Sequence, residues 1–228
     1  MKTYASLFVA CFALLLNNSE TRAGWVTLPG SNAMAVKVSS FKERQFRTTI
    51  RQRYDYSCGS AALATLLSYQ YDDPVSEQDV FKVMWENGDQ EKIRREGFSL
   101  LDIKQYLEAN GYSADGYEAS LDKLAEVGIP AIALIRDNGY NHFVVVKGVS
   151  KDKVVVGDPS LGARVIPREQ FEKMRLNHIL FVINNARDKV VFNARRDWHV
   201  REKAPLGLAE SPDTLTNITL LRPGPNDF

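Results

Sequence analysis

Between Cys58 and Leu67 the chain carries Ala61, Ala62, Leu63, Ala64, Leu66 and Leu67. These strong helix formers leave a helix apolar on nearly every side, so the rest of the fold has to be built around it as a core helix. Ser57, just before the run, is a good N-cap type. Cys58 would then open the helix, where unpaired backbone N–H groups and the positive end of the macrodipole favour a thiolate, the nucleophilic form of cysteine. A small buried hydrophobe at a helix start is the plainer reading of the same residue.

The size of the chain allows one domain with a real core plus extensions: 228 residues, 44% hydrophobic and 25% charged. A net charge of +1 carries no nucleic-acid footprint. The start reads as a secretory signal peptide: Lys2, an apolar run from Ala5 to Leu16, then small residues up to Ala23. Cleavage after Ala23 is expected, and the apolar run is short for a permanent membrane span, which takes about 20 residues. Loss of the signal removes Cys11 and leaves Cys58 as the lone thiol of an exported chain, which favours a reactive thiol.

Taken in order, residues 24–49 read as an N-terminal arm or edge strand, followed by the Cys58 helix and a turn at Tyr71-Asp72-Asp73-Pro74. A capping box at Ser76 opens a second helix that ends near Asn87-Gly88, and Asp89 to Gly97 reads as a charged loop. Ser99 caps a third helix up to Asn110-Gly111, Tyr112 to Tyr117 suits a short strand, and Ser120 opens a small helix stopped by Gly128. The pattern then changes to strands: Pro130–Ile135, a turn at Asn138-Gly139, His142–Val149, Val154–Val156 running to Asp158-Pro159, Ala163–Ile166 and, after a short helix from Pro167, His178–Ile183. Helices first and an antiparallel sheet second is an α+β plan. Residues 186–228, with scattered charges and four prolines, read as a C-terminal extension.

A cysteine nucleophile needs a base, and the base an orienting partner. Of three histidines, His142 stands at the start of a strand directly after a turn, where its ring can face out of the strand end. His178 has a similar but weaker position, and His199 lies among tail charges. Asp158 closes the neighbouring strand, so in an antiparallel pair its carboxylate can reach the His142 ring, although Asp-Pro is also a common turn former. Gln52, six residues before Cys58, carries a neutral amide that could join the Cys58 N–H in stabilising an oxyanion. His178 and His199 show no metal-ligand spacing, and no cofactor is expected.

Three motifs, Gln52 with Cys58-Gly59-Ser60-Ala61, His142-Phe143-Val144-Val145, and Asp158-Pro159 with Gly162, resemble those of the bacteriocin-processing, or double-glycine, cysteine peptidase family. The resemblance spans about Arg51 to Asn184. It implies a papain-like fold in which an N-terminal helical lobe packs on a C-terminal antiparallel sheet, within a peptidase domain at 50–185. It also implies the roles: Cys58 as nucleophile, His142 as base and later acid, Asp158 as its orienter, and Gln52 as oxyanion donor. Ser57 stands where the family commonly has aspartate. Many members are domains of ATP-driven exporters, whereas this chain has no phosphate-binding GxxxxGK[ST] loop and carries a signal. It is therefore similar to a stand-alone exported member, such as the periplasmic peptidases encoded with functional-amyloid secretion systems.

The expected function is an exported, periplasmic cysteine endopeptidase. It would process a secreted or amyloid-forming protein, or its export machinery, at a Gly-Gly type site. The rival is a catalytically silent peptide-binding adaptor or chaperone. A cell-wall peptide hydrolase would share the Cys/His chemistry.

Overall fold

The structure, a computed structural model, describes residues 25–27, 35–37 and 41–199. The signal peptide read at residues 1–23 and the part of the extension from residue 200 onward lie outside the described residues. The chain divides into two compact units, Met1–Phe41 and Lys42–Phe228. In the first, β1 (Trp25–Thr27) and β2 (Ala35–Lys37) pair antiparallel with Val26 opposite Val36.

The second unit is laid around α2 (Cys58–Gln70), which follows the short α1 (Phe41–Gln45). Burial of α2 is close to complete: Ala61, Ala62, Leu63, Ala64 and Leu66 have no exposed surface. Two of the polar side chains inside it are used, while the buried Gln70 amide has no hydrogen-bond partner among the described residues. Thr65 Oγ1 accepts from the Ile50 amide at 2.9 Å, and Ser60 Oγ donates to Glu77 Oε1 at 3.2 Å. Around it stand α3 (Glu77–Asn87), α4 (Gln90–Glu96) and α5 (Leu100–Ala109). Ser76 caps α3 through the Asp79 amide, and Ser99 forms a full capping box with Asp102 on α5. Each such cap stabilises its helix by about 1 kcal/mol.

The stretch at Asp89 to Gly97, read as a loop, is the helix α4. Charge hid its signals: Asp89 caps it by accepting from the Lys92 amide, Gly97 ends it at φ 80°, and Ile93 is its buried anchor. Ser57 also departs from expectation. Its side chain does not cap α2 but closes the preceding loop, accepting from the Arg53 and Tyr54 amides at 3.2 and 3.1 Å and donating to the Tyr54 carbonyl.

After α5 come β3 (Ala114–Glu118), α6 (Leu121–Val127), β4 (Ala131–Asp137), β5 (Tyr140–Val149), β6 (Lys153–Asp158), β7 (Gly162–Pro167), α7 (Arg168–Met174) and β8 (Ile179–Ile183). The six strands form one antiparallel sheet in the order β3-β8-β4-β5-β6-β7. Alternation along β5 divides the core, as the pleat requires. Phe143 and Val145 pack with α2, α3 and α5, while Val144 and Val146 pack with Leu121 and Leu124 of α6 and Phe171 of α7. This is the α+β plan, with a sheet buried on both faces.

Residues 187–199, read as the start of an extension, form a 3₁₀ turn at Arg187–Lys189 and the short α8 (Arg195–Trp198). They are tied to the sheet and to α2. The Val191 amide donates to Gln70 O at 2.8 Å, the Asn193 amide donates to Lys147 O at 2.9 Å, and Asn193 Oδ1 accepts from the Val149 amide at 2.9 Å. Asp197 is fully buried and lies 3.5 Å from the Nζ of Lys147, which is also fully buried at the bulge in β5. Burial pulls the Lys147 ammonium down to about 8 while Asp197 pulls it back up. Removing one member of such a pair strands the other. Asp197→Ala is therefore expected to cost about 3 kcal/mol, read as a lowered urea midpoint. An unchanged midpoint would show that the pair contributes nothing.

Candidate active site

The loop Arg51 to Ser57 reaches α2 across an aromatic bed. The Tyr54 ring stacks on Tyr56 at 5.5 Å and meets Phe81 of α3 at 5.3 Å, and Tyr56 meets Trp85 at 6.0 Å. That bed delivers Cys58 to the first position of α2, against the start of β5. A Cβ on Gly59 would come within 2.8 Å of Phe98 Cβ, so glycine is what lets the helix start close against Phe98.

Cys58 is 7% exposed and is the free cysteine of the described residues. Burial pushes its thiol up, the backbone amides of Phe143 and Gly59 pull it down, and the charge of Asp158 adds to the upward push. Burial wins, which corrects the expectation of a resting thiolate. Helix-end amides favour the anion, but the apolar surroundings of the same position withhold solvation from it. Among the described residues no hydrogen bond joins the thiol to His142.

His142 and Asp158 are brought together as expected. Nε2 of His142 lies 3.0 Å from Asp158 Oδ2, with the ring 14% exposed and the carboxylate wholly buried. The strands explain the meeting: β5 leaves the Asn138-Gly139 turn at Tyr140, two residues earlier than expected, so that His142 is its third residue, and β6 ends at Asp158, the two running antiparallel with Val145 opposite Gly157. With Nε2 on Asp158, Nδ1 is the ring nitrogen left for proton transfer.

Asp158 also does what a turn-forming aspartate does. Its Oδ1 accepts from the Ser160 amide at 2.9 Å, the Ser160 hydroxyl at 2.7 Å and the Leu161 amide at 3.2 Å. Arg164 on β7 lies 3.0 Å from Oδ2. The loop so built ends at Gly162, whose φ of 85° and approach to Gln45 (its Cβ would lie 2.8 Å from the Gln45 carbonyl oxygen) exclude other residues.

Burial pushes the Asp158 carboxyl up, but the bond and charge of His142, the Ser160 hydroxyl and Arg164 together hold it at about 2. The unfolded reference is about 3.9, so the native state binds its proton later than the unfolded chain does. This contribution, on the order of 2 kcal/mol, is present above about pH 4 and is lost as the pH falls through about 2. Asp158→Asn is expected to flatten the fall in stability over that interval. An acid unfolding curve of unchanged slope would contradict the assignment of that charge.

Gln52 is held beside this loop, its amide N–H donating to Pro159 O at 3.0 Å. Its side-chain Nε2 donates to Tyr54 O at 3.0 Å and, at the long distance of 3.4 Å, to Asp55 O, while Oε1 is buried without a partner. The contact with Asp55 O is the weaker of the two made by Nε2. His178 stands apart: its Nδ1 lies 3.2 Å from Arg175, and it has no link to Cys58. Among the described residues no three His, Cys, Asp or Glu side chains gather into a metal site, and no helix is long and apolar enough to cross a membrane.

Sequence reasoning missed Arg164, whose link to Asp158 depends on sheet register, and Ser160, which the Asp-Pro-Ser turn could have signalled.

Comparisons with known proteins agree with this architecture. Two relatives, each named a probable functional amyloid protease, FapD, come from Pseudomonas fluorescens (44% identical over 69% of this chain and 71% of the relative) and Pseudomonas aeruginosa (40% identical over 75% of this chain and 76% of the relative). The crystal structure of the peptidase domain of Streptococcus ComA, a bifunctional ABC transporter, superposes with a TM-score of 0.50 at 18% identity, covering 60% of this chain and 96% of that domain. That likeness concerns the fold. The model of the peptidase C39 family matches residues 47–187, more than half of the chain and all of the catalytic-type cluster. With the strand-borne His–Asp pair beside a helix-opening cysteine, the chain belongs to the peptidase C39 family.

Proposed function

We propose that this cysteine peptidase acts in the periplasm on a secreted or amyloid-forming protein, or on a component of its export machinery. Cys58, His142, Asp158 and Gln52 carry the reaction. The observation that supports this best is the 3.0 Å pairing of His142 Nε2 with the buried Asp158, which leaves Nδ1 as base near the strand residue, Phe143, whose amide acts on the Cys58 thiol.

His142 Nδ1 takes the Cys58 proton as Sγ attacks the scissile carbonyl. The oxyanion receives hydrogen bonds from the Cys58 N–H and from Gln52 Nε2 once its weak bond to Asp55 O is released. His142 returns the proton to the leaving amine, and a thioester remains on Cys58. Water, deprotonated by His142, then releases the acyl product. Because the resting thiol is held protonated by burial, the base is needed at the moment of attack.

The amyloid link comes from the relatives named as functional amyloid proteases, and a Gly-Gly site from the resemblance of the Cys58, His142 and Asp158 motifs to those of double-glycine peptidases. The test is incubation of purified protein with amyloid subunits, with and without a Gly-Gly pair, and mass analysis of the products, Cys58→Ala serving as control. Cleavage that disappears in the control is the expected result. Binding without cleavage would favour the adaptor reading, for which the burial-raised thiol is the one supporting observation.

A further inference from the structure

We propose that Arg164 is a positioning residue of the hydrolytic site, holding the Asp158 carboxylate in the orientation that engages His142. The inference rests on the reading of Cys58, His142 and Asp158 given above.

Arg164 lies opposite Val156 in the β6–β7 ladder, and Asp158 lies opposite Gly162. Side chains alternate between faces along a strand, so Arg164 and Asp158 are diagonal neighbours on one face of the sheet. One guanidinium nitrogen lies 3.0 Å from Asp158 Oδ2, the same oxygen that engages His142, and 2.8 Å from Asp137 Oδ2. Asp137 ends β4 just before the Asn138-Gly139 turn that leads into His142. Arg164 therefore joins the hairpin that carries the base to the hairpin that carries its orienter. Its Nε is buried without a partner, so the guanidinium bears a desolvation cost in this place.

A surface ion pair would be worth little, but Asp158 has no exposed surface and Arg164 is only 23% exposed. Without the guanidinium, Asp137 and Asp158 would be two carboxylates facing each other with no cation between them. The relief open to Asp158 is rotation of its Oδ2 away from Asp137, and that rotation breaks the bond to His142. Oδ1 is already occupied by Ser160 and Leu161, so no other group on Asp158 would replace it.

The test needs no substrate. The purified protein is alkylated at Cys58 with iodoacetamide near neutral pH, and the His142 ring N–H is followed by NMR in protein labelled at its three histidines. Arg164→Gln is expected to slow alkylation about tenfold, a fraction of what losing the orienting carboxylate itself costs, and to weaken the His142 Nε2–H signal. Arg164→Lys, which keeps the cation, is expected to restore most of the rate. In Arg164→Gln with Asp137→Asn the repulsion is gone, and part of the rate should return. An alkylation rate and ring signal unchanged in Arg164→Gln would overturn the proposal. So would a slowed rate with an unaltered ring signal, since the effect would then not pass through His142. His142→Ala run alongside separates this from failure of the catalytic reading. If His142→Ala alkylates like the wild type, that reading falls and Arg164 with it; if His142→Ala is slow and Arg164→Gln is not, Arg164 alone is wrong.

Discussion

Cys58→Ala is expected to abolish turnover, with kcat lower by about 10⁴-fold or more, while the fold is kept. In the proposed reaction the thiol supplies the atom that bonds to the substrate, and no neighbour is placed to replace it, since Ser57 faces the preceding loop and Ser60 is bonded to Glu77 and to Ser57 O. Alanine fills the same place at the start of α2 with only the sulfur missing, so the stability loss should be about 1 kcal/mol. Product mass analysis gives the first quantity and the urea midpoint the second. Turnover surviving in the alanine variant would show that another residue is the nucleophile.

Asp158→Ala should have the next largest effect, on activity and stability together. It removes the partner of His142 Nε2, worth about 10³- to 10⁴-fold in rate for an orienting carboxylate. It also strands the Ser160 and Leu161 amides and leaves Arg164 with Asp137 alone, a loss of about 3–5 kcal/mol. Asp158→Asn separates the two roles. Its amide oxygen can still accept from the turn amides, so most stability near neutral pH should remain, while the NH2 offers a donor where a carboxylate stood. Activity should then fall nearly as far as in the alanine variant. Turnover of Asp158→Asn equal to wild type would contradict the orienting role.

Much of this was legible from residue order, because local signals and tertiary structure agree. Ser76, Ser99 and Ser120 each cap the helix that follows, and Gly128 ends α6 at φ 72°. The Asn138-Gly139 turn signalled the strand that carries His142, although β5 begins two residues earlier, at Tyr140, and the Asp158-Pro159 step placed the carboxylate at a strand end. Hairpin connectivity did the rest. What stayed hidden depends on sums over distance. The apolar run that makes α2 a core helix also desolvates Cys58, and composition cannot weigh that burial against the helix-end amides. The helix α4 has one buried residue, Ile93, in seven, and its charged surface masks the signal of cap, anchor and terminal glycine. Asp197 and Lys147 stand fifty positions apart, and no local signal in the sequence links them. Arg164 needed the ladder register of β6 and β7 before it could be placed against Asp158.

The central claim is that Cys58 and His142 work as nucleophile and base. Its most direct test is the rate of Cys58 alkylation by iodoacetamide as a function of pH, in the wild type and in His142→Ala. Because burial alone disfavours the thiolate, reactivity below the range of an ordinary thiol, whose pKa is about 8.5, must come from proton transfer to the ring. The account predicts that wild-type Cys58 is alkylated well below that pH and that His142→Ala slows it there at least about tenfold. Superimposable profiles that both rise only near about pH 8.5 would contradict it.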